Sequence, residues 1–288
     1  MLSVDRIAVI VAVYNAESTI EACIRSLLEM RRGSYALELI IVDNGSTDRT
    51  RTIVAGFGDR LRLLTEPKRG PAAARNRGIR EATAEWIAFT DADCVVEPDW
   101  LFELVPPLAE PGVGISGGKI MSIEPCNRIE RFGERIHDHR VAIESQNPPY
   151  AITMNWASRR EVLLRAGLFD ENLMRGSDTD LAFRIHALGY ELVYRGNAAI
   201  HHHNERTFRG LFHEGFMHGF GAERIRAKVL HAPAVQPHRF ATERRVLRNM
   251  GGFVTGRRPA RFDRLCAVVF DAGKLAGEMK ERHAHRKS

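Results

Sequence analysis

The sequence predicts an α/β fold: a doubly wound, Rossmann-like, mostly parallel sheet flanked by helices, followed by a small C-terminal helical appendage. Three observations carry this. Short β-branched runs such as IAVIVAV (7–13) and LELIIVD (37–43) alternate with amphipathic stretches at helical spacing. The runs are apolar almost throughout, as strands covered on both faces must be. Polar residues gather where the runs stop, at Tyr14, Asp43 and the pair Asp91/Asp93. Sheets of this class bind ligands beyond the carboxyl ends of their strands.

The elements follow in order. After the first strand, AESTIEACIRSLLEM (16–30) spaces Ile20, Cys23, Ile24, Leu27 and Leu28 along one helical face, with Ser18 or Thr19 and Glu21 as starting residues. The second strand ends in the turn formers NGST, and DRTRTIVAGF reads as the second helix. RLRLLTE (60–66) is a third strand, GPAAARNRGIREAT (70–83) a helix opened by Gly-Pro, and EWIAFTDAD (85–93) a fourth strand ending in acidic residues. DWLFELVPPLAE (99–110) predicts a short helix, GVGISGGKIMSI (112–123) another strand, and residues 126–150 a helix and loop. A helix is expected from about Arg160 to Ala166. A second spans 177–190, capped by Ser177 or Asp178, with Leu181, Phe183, Ile185 and Leu188 inward and Gly189 closing it. ELVYRGNAAI (191–200) is a last strand leading into three histidines.

Beyond about residue 205 the composition changes. Residues 205–230 and 260–283 predict helices, separated by HAPAVQP and GGFVTGRRPA, and the basic end KERHAHRKS reads as frayed. The domain reading is therefore 1–205 for the α/β domain and 206–288 for the helical region.

The 288-residue chain is 44% hydrophobic, enough for a large core. No stretch approaches the roughly 20 apolar residues of a membrane span, and the N-terminus reads as a buried strand rather than a signal peptide. Four cysteines without CxxC spacing argue against a disulfide framework or a zinc-thiolate site, and fit a reducing, cytoplasmic setting. A net charge of +6 suits phosphorylated ligands, anionic lipid or nucleic acid alike. The arginines form no single stripe interleaved with aromatics, which argues against nucleic acid.

TDADC (90–94) sets two carboxylates one residue apart at a strand end, hard oxygen donors suited to a divalent cation and a ribose. Asp43 can accept from a base imide N–H or a ribose hydroxyl. No GxGxxG follows the first strand and no GxxxxGK[ST] occurs, so nicotinamide dehydrogenase and P-loop chemistry recede. A diphosphate would need cations instead: a metal, or Lys68, Arg69 and Arg75. Asp178 and Asp180 sit at a helix start, where the dipole favours the ionised forms and an ionised carboxylate can serve as general base.

Taken in order, AVIVAVYNAE, IIVDNGSTD, RGPAAARNRGI, WIAFTDADC, MNWASRREVLLRAGLFDE and GSDTDLAFRIHALGY, then a strand and a histidine, resemble the family 2 glycosyltransferases, which have the GT-A fold. The resemblance covers roughly residues 5–205. It implies an inverting transfer from a nucleotide-diphosphate sugar, foremost a UDP-sugar, with a divalent metal, Mn2+ or Mg2+. It places the segment Ala12 to Glu17, including Tyr14, along the nucleotide, Asp43 at the base and Arg75 near the nucleotide. Asp91 and Asp93 match the metal-binding DxD motif, with Asp93 the direct ligand. Asp178 matches the general base, with Asp180 beside it in the substrate site, and His202 matches a histidine that completes the metal or diphosphate site. Alternation along the strand sends His202 to one face and His201 and His203 to the other. Ala12 stands where the family usually has proline, and Ser177 where it usually has glutamate, so acceptor binding departs from the pattern.

Two competing readings are a sugar-phosphate nucleotidyltransferase, which needs a Gly-rich basic loop where this chain has YNAEST, and a non-catalytic basic α/β binding module. The acceptor is open among a lipid-linked glycan, a natural product and a peptide. The aromatic helix 207–230 offers packing within the protein, peripheral contact with the inner face of a membrane, or homo-oligomerisation.

Overall fold

The computed structural model describes residues 6–125, 127–229 and 258–285. Cys126, HAPAVQP and most of GGFVTGRRPA lie outside the described residues. The chain divides into two compact units, one formed by the residues up to 123 with 137–202, the other by 124–136 with 203–288.

The first unit is built on an eight-stranded sheet: β1 (Arg6–Val13), β2 (Ala36–Asp43), β3 (Arg62–Thr65), β4 (Trp86–Asp91), β5 (Cys94–Val96), β6 (Val113–Ser122), β7 (Asn155–Arg159) and β8 (Glu191–His202), in the spatial order β3-β2-β1-β4-β7-β6-β8-β5. The pairs β1·β2, β1·β4, β2·β3 and β6·β8 are parallel, whereas β7 and β5 enter antiparallel. Ile7, Val9 and Val11 face one core with helices α1 (Ile20–Glu29) and α4 (Trp100–Leu104). Ala8 and Ile10 face a second core with α3 (Pro71–Glu81), α7 (Arg160–Arg165) and α8 (Ser177–Ala187). The remaining helix of the first half, α2 (Thr50–Ala55), is short. Both faces of β1 are thus covered, which explains its unbroken apolar run.

Strand β7 escapes the sequence pattern because three of its five residues are polar and buried: Asn155, Ser158 and Arg159. Each is tied to a neighbour. Asn155 accepts from Trp100 Nε1 at 2.7 Å and donates to the carbonyls of Lys119 and Ala198 at 2.8 and 2.9 Å. Ser158 donates to Gly114 O, and the Arg159 guanidinium donates to the carbonyls of Leu108, Glu110 and Pro111. Such partners offset most of the cost of burying polar groups.

Helix starts differ from the sequence reading. Thr19 precedes α1, but no side chain caps that helix. Helix α3 opens as expected, with Gly70 at φ 122° and Pro71 at its first position. Helix α8 is preceded by Gly176 at φ 78°, and neither Ser177 nor Asp178 caps it. Along α8, Leu181, Ala182 and Ile185 are buried, Phe183 is half-buried and Leu188 is exposed, so the buried stripe is narrower than the apolar one.

Helix α6 (His139–Glu144) begins with a capping bond from Val141 N–H to Asp138. His139 itself is buried. Its Nε2 accepts from Ile152 N–H at 3.0 Å, so Nδ1 carries the proton and donates to Gly118 O at 2.9 Å. Gly117 makes room for the ring, since a Cβ there would lie 2.8 Å from His139 Cε1, and a Cβ at Gly118 would lie 2.0 Å from Ala198 O.

The second unit contains α5 (Arg128–Ile136), α9 (Phe208–Val229) and α10 (Arg258–His285). Helix α10 continues through residues 280–285, so most of the basic end is helical rather than frayed. Helices α9 and α10 each carry a Gly-x-x-x-Gly pair. A Cβ at Gly215 would meet Phe270 O at 2.1 Å, at Gly219 Lys274 O at 1.8 Å, and at Gly273 Phe212 O at 2.1 Å. The contacts advance together along both helices, so the two run parallel, backbone against backbone. Leu211, Cys266 and Phe270 fill the centre with Ile129 of α5. Among the described residues no helix is long and apolar enough to cross a membrane.

Two predictions follow from these contacts. Gly219→Val places a branched side chain where no atom fits, so thermal unfolding of the second unit should move to lower temperature by a destabilisation of about 3 kcal/mol or more; an unchanged transition by calorimetry would contradict the packing. Burial draws the His139 pKa from 6.5 down to about 4, against the pull of Asp178 and Asp138. The unfolded chain therefore binds more protons between those values, and stability contributed by the neutral ring is lost as pH falls from 6.5 towards 4. In His139→Gln, which cannot titrate, the fall in Tm over that window should be shallower than in the parent.

Candidate functional site at the carboxyl edge of the sheet

The parallel register brings the strand ends level. Ala12 lies opposite Asp91, and Val13 opposite Asp43. The turns beyond β1 and β2 are sewn together: Asn15 N–H donates to Ser46 Oγ, Thr47 N–H to Asn15 Oδ1, Ala16 N–H to Thr50 Oγ1 and Glu17 N–H to Asp48. Glu17 is exposed and held by the backbone and side chain of Arg49. Asp43 is buried, with one oxygen accepting from Ser46 N–H at 3.3 Å and the other 3.7 Å from Arg51. Asp43 thus closes an Asx-type turn beside Arg51.

Asn44 holds the next loop. Its amide donates to the carbonyls of Glu66 and Lys68, both at 2.8 Å, and accepts from Gly70 N–H at 2.7 Å. That loop presents Arg69, whose guanidinium lies 4.6 Å from the ring centre of Tyr14. Tyr14 is 46% exposed, a large aromatic left open at a strand end. Lys68 pairs with Glu171 at 2.7 Å. Hydrogen bonds from Asn76 and Lys68, with Arg80 behind them, bring the Glu171 pKa down to about 2. Asn76 also bonds both backbone groups of Phe169, so the loop before α8 is fixed to α3.

The two aspartates of the acidic motif part company. Asp91 accepts from Arg75 Nη2 at 2.7 Å, and Arg75 is buried beside the Phe169 ring. Asp93 turns to the other partner: its Oδ2 lies 3.4 Å from His202 Nε2. Partial burial pushes the Asp93 carboxyl up, but the hydrogen bond and charge of the His202 ring outweigh it and leave the pKa below the ordinary value. This meeting depends on the pairing of β5 with β8, which sets Cys94 opposite His202. The His202 ring also packs edge-on against His137, with centres 5.3 Å apart.

The three histidines are thereby separated. His201 takes the opposite face, where Nε2 lies 2.6 Å from Glu97. His203 lies past the end of β8 and is exposed. Cys23 and Cys94, buried beside the acidic motif, are free thiols whose pKa burial pushes up.

Asp178 and Asp180, adjacent on paper, do different things. Asp178 is half-buried and accepts from Thr153 N–H at 3.3 Å and Thr179 N–H at 2.9 Å. Asp180 is buried and bound twice by Arg184, whose other donors reach the carbonyls of Ala166 and Leu168. Its carboxylate is thereby tied to Arg184 one turn further along α8. Sequence reading missed His139 and Glu171, both in charged segments that resemble solvated surface.

The chain is similar to known proteins. Residues 8–166 match the family model described as Glycosyl transferase family 2. The chain is 30% identical to Glycosyltransferase AglE of Haloferax volcanii over 224 residues, 75% of this chain and 72% of that protein. It is 29% identical to the pre-mycofactocin glycosyltransferase of Mycobacterium tuberculosis over 70% of this chain, and spans 44% of that protein's length. Among solved structures, the mannosyltransferase PcManGT from Pyrobaculum calidifontis, in complex with GDP-Man and Mn2+, superposes with a TM-score of 0.71 at 22% identity, covering 96% of this chain and 86% of that one. TarS 1–349 of Staphylococcus aureus in complex with UDP-GlcNAc superposes with a TM-score of 0.59 at 15% identity, covering 98% and 92%. An ordered set of strand-end carboxylates on a GT-A sheet, matched by the family model over more than half its length, makes this chain a member of glycosyl transferase family 2.

Proposed function

We propose that the chain transfers a sugar, with inversion, from a nucleoside-diphosphate sugar to an acceptor nucleophile. The observation that supports it most is the convergence on one sheet edge of Asp43, Tyr14, Arg75, the Asp93–His202 pair and Asp178. The nucleotide end is read by Tyr14, with Arg69 on its ring, and by Asp43, whose carboxylate accepts from the base. Ala12 and the turn to Glu17 line that end through backbone. Arg75, held in place by Asp91, supplies fixed positive charge for the diphosphate without needing to desolvate on binding. Lys68 lies within the same loop cluster, paired with Glu171.

The donor set at Asp93 and His202 fits a divalent cation. One carboxylate and one imidazole, 3.4 Å apart, with Asp93 in the turn before β5 and His202 at the end of β8, are a hard oxygen and a borderline nitrogen. That mixture suits Mn2+ better than Mg2+, which favours oxygen throughout. Asp91, already bound by Arg75, serves the site through that arginine and the donor ribose. When bound, the metal neutralises charge on the leaving diphosphate.

Asp178 is the general base. Two backbone N–H groups hold its carboxylate in the first turn of α8, and it remains half-exposed to an incoming acceptor. The acceptor oxygen bonds to the anomeric carbon as the bond from that carbon to the diphosphate breaks, and the acceptor proton passes to Asp178. Holding both reactants in line supplies much of the remaining acceleration. The acceptor is a glycan, natural product or peptide hydroxyl or other nucleophile, with a lipid-linked glycan among the first to test.

Three measurements check this. Asp178→Asn should reduce transfer by about 100-fold or more, yet keep the Tm rise produced by the nucleotide; transfer within a few-fold of the parent would remove the base assignment. EDTA should abolish transfer and Mn2+ restore it, with His202→Ala weakening the response to Mn2+; full activity in excess EDTA would remove the metal. In a thermal-shift panel of UDP, GDP, dTDP and NAD with and without Mn2+, one nucleoside diphosphate should stabilise the protein in a metal-dependent way and NAD should not.

A further inference from the structure

His139 takes no part in the scheme above, yet a short backbone path leads from it to Asp178. The ring is buried, in the neutral form with the proton on Nδ1, and both nitrogens are engaged. One bond fixes it to Gly118 of β6, a position that admits no side chain. The other receives the N–H of Ile152. The next amide, Thr153 N–H, is the one that donates to Asp178 Oδ2. Thr153's own hydroxyl is buried and makes no hydrogen bond, so the polar contact of this residue with the base runs through its amide. The ring is therefore a peg between a rigid sheet strand and the two-residue segment that holds the base. Burial keeps the ring uncharged, outweighing the Gly118 hydrogen bond and the pull of Asp178 and Asp138, while His137 acts in the same direction as burial.

We propose that His139 is a positioning residue for the sugar-transfer reaction, aiming the Thr153 amide at Asp178 through its bond to Ile152. The inference rests on Asp178 being the general base. It acts on the acceptor side alone, so it separates kcat from donor binding.

The test is a pair of amide variants in the full chain. In His139→Gln the side-chain oxygen stands near Nε2 and can still receive Ile152 N–H. In His139→Asn the amide stands near Nδ1 and keeps only the Gly118 bond. The Asn variant should lose about tenfold in kcat with donor KM within about twofold, and the acid limb of its kcat–pH profile should move to higher pH. The Gln variant should stay within about threefold of the parent, with the limb unmoved. A folded Asn variant with parental kcat and an unmoved limb overturns the inference, as does a Gln variant that falls as far as the Asn one. Should the Asn variant not fold, the parent protein still decides: the Thr153 amide proton resonance should follow the ionisation of Asp178, and a resonance that ignores it overturns the inference. Asp178→Asn measured alongside distinguishes the two failures. Transfer surviving in that variant removes the base, whereas transfer lost there with an unmoved limb in His139→Asn removes only the peg.

Discussion

Three residues of strand, Cys94–Val96, decide where the acidic motif points. Strand β5 is short and pairs with the end of β8 in one register, Cys94 opposite His202. Side chains alternate along a strand, so a slip of one residue would offer His201 or His203 to Asp93 instead. The register is held from behind by buried neighbours: Cys94, Val96 and Ile200 are all in the core. Hydrophobic burial thus fixes a polar meeting that the polar groups alone are too few to enforce, since one exposed ion pair contributes only about 0–1 kcal/mol.

The rest of the edge follows a second rule, in which asparagines act as backbone surrogates. Asn44 and Asn76 each bond backbone carbonyl and N–H groups of a loop, and Asn155 joins the carbonyls of Lys119 and Ala198 to the Trp100 indole N–H. An amide side chain offers donor and acceptor together, so it can stand in for a missing rung of secondary structure. Loops positioned this way hold their groups before any ligand arrives. Arg75 and Asp91 form such a held pair, as do Lys68 and Glu171.

How much of this was legible in the sequence depended on what each element hides. Strands β1, β2 and β4 are buried on both faces, and their unbroken apolar runs announced them. Strand β7 reads NWASR, and its polar residues look like a loop until their partners on β6, β8 and the 108–111 turn are known. The strand-end carboxylates were visible as residues, but their division of labour was not: only the fold shows that Asp91 belongs to Arg75 and Asp180 to Arg184. The choice of His202 within the histidine run rests on the family resemblance, while strand alternation, a local rule, only separates it from His201 and His203. His139 gave no signal, because HDHR looks like solvated surface and its partners are 13 and 21 residues away.

One of the asparagine clasps has a chemical consequence. Asn44 is followed by Gly45, the neighbour that least hinders ring closure of an asparagine side chain onto the next backbone nitrogen. In the folded chain that side chain is turned away, held by Glu66 O, Lys68 O and Gly70 N–H. The clasp therefore shields Asn44 from deamidation for as long as it stays closed. Once opened long enough to react, residue 44 becomes an acid, with an oxygen facing two carbonyls where a donor had been. The loop that carries Lys68 and Arg69 then loses two of its three bonds to residue 44.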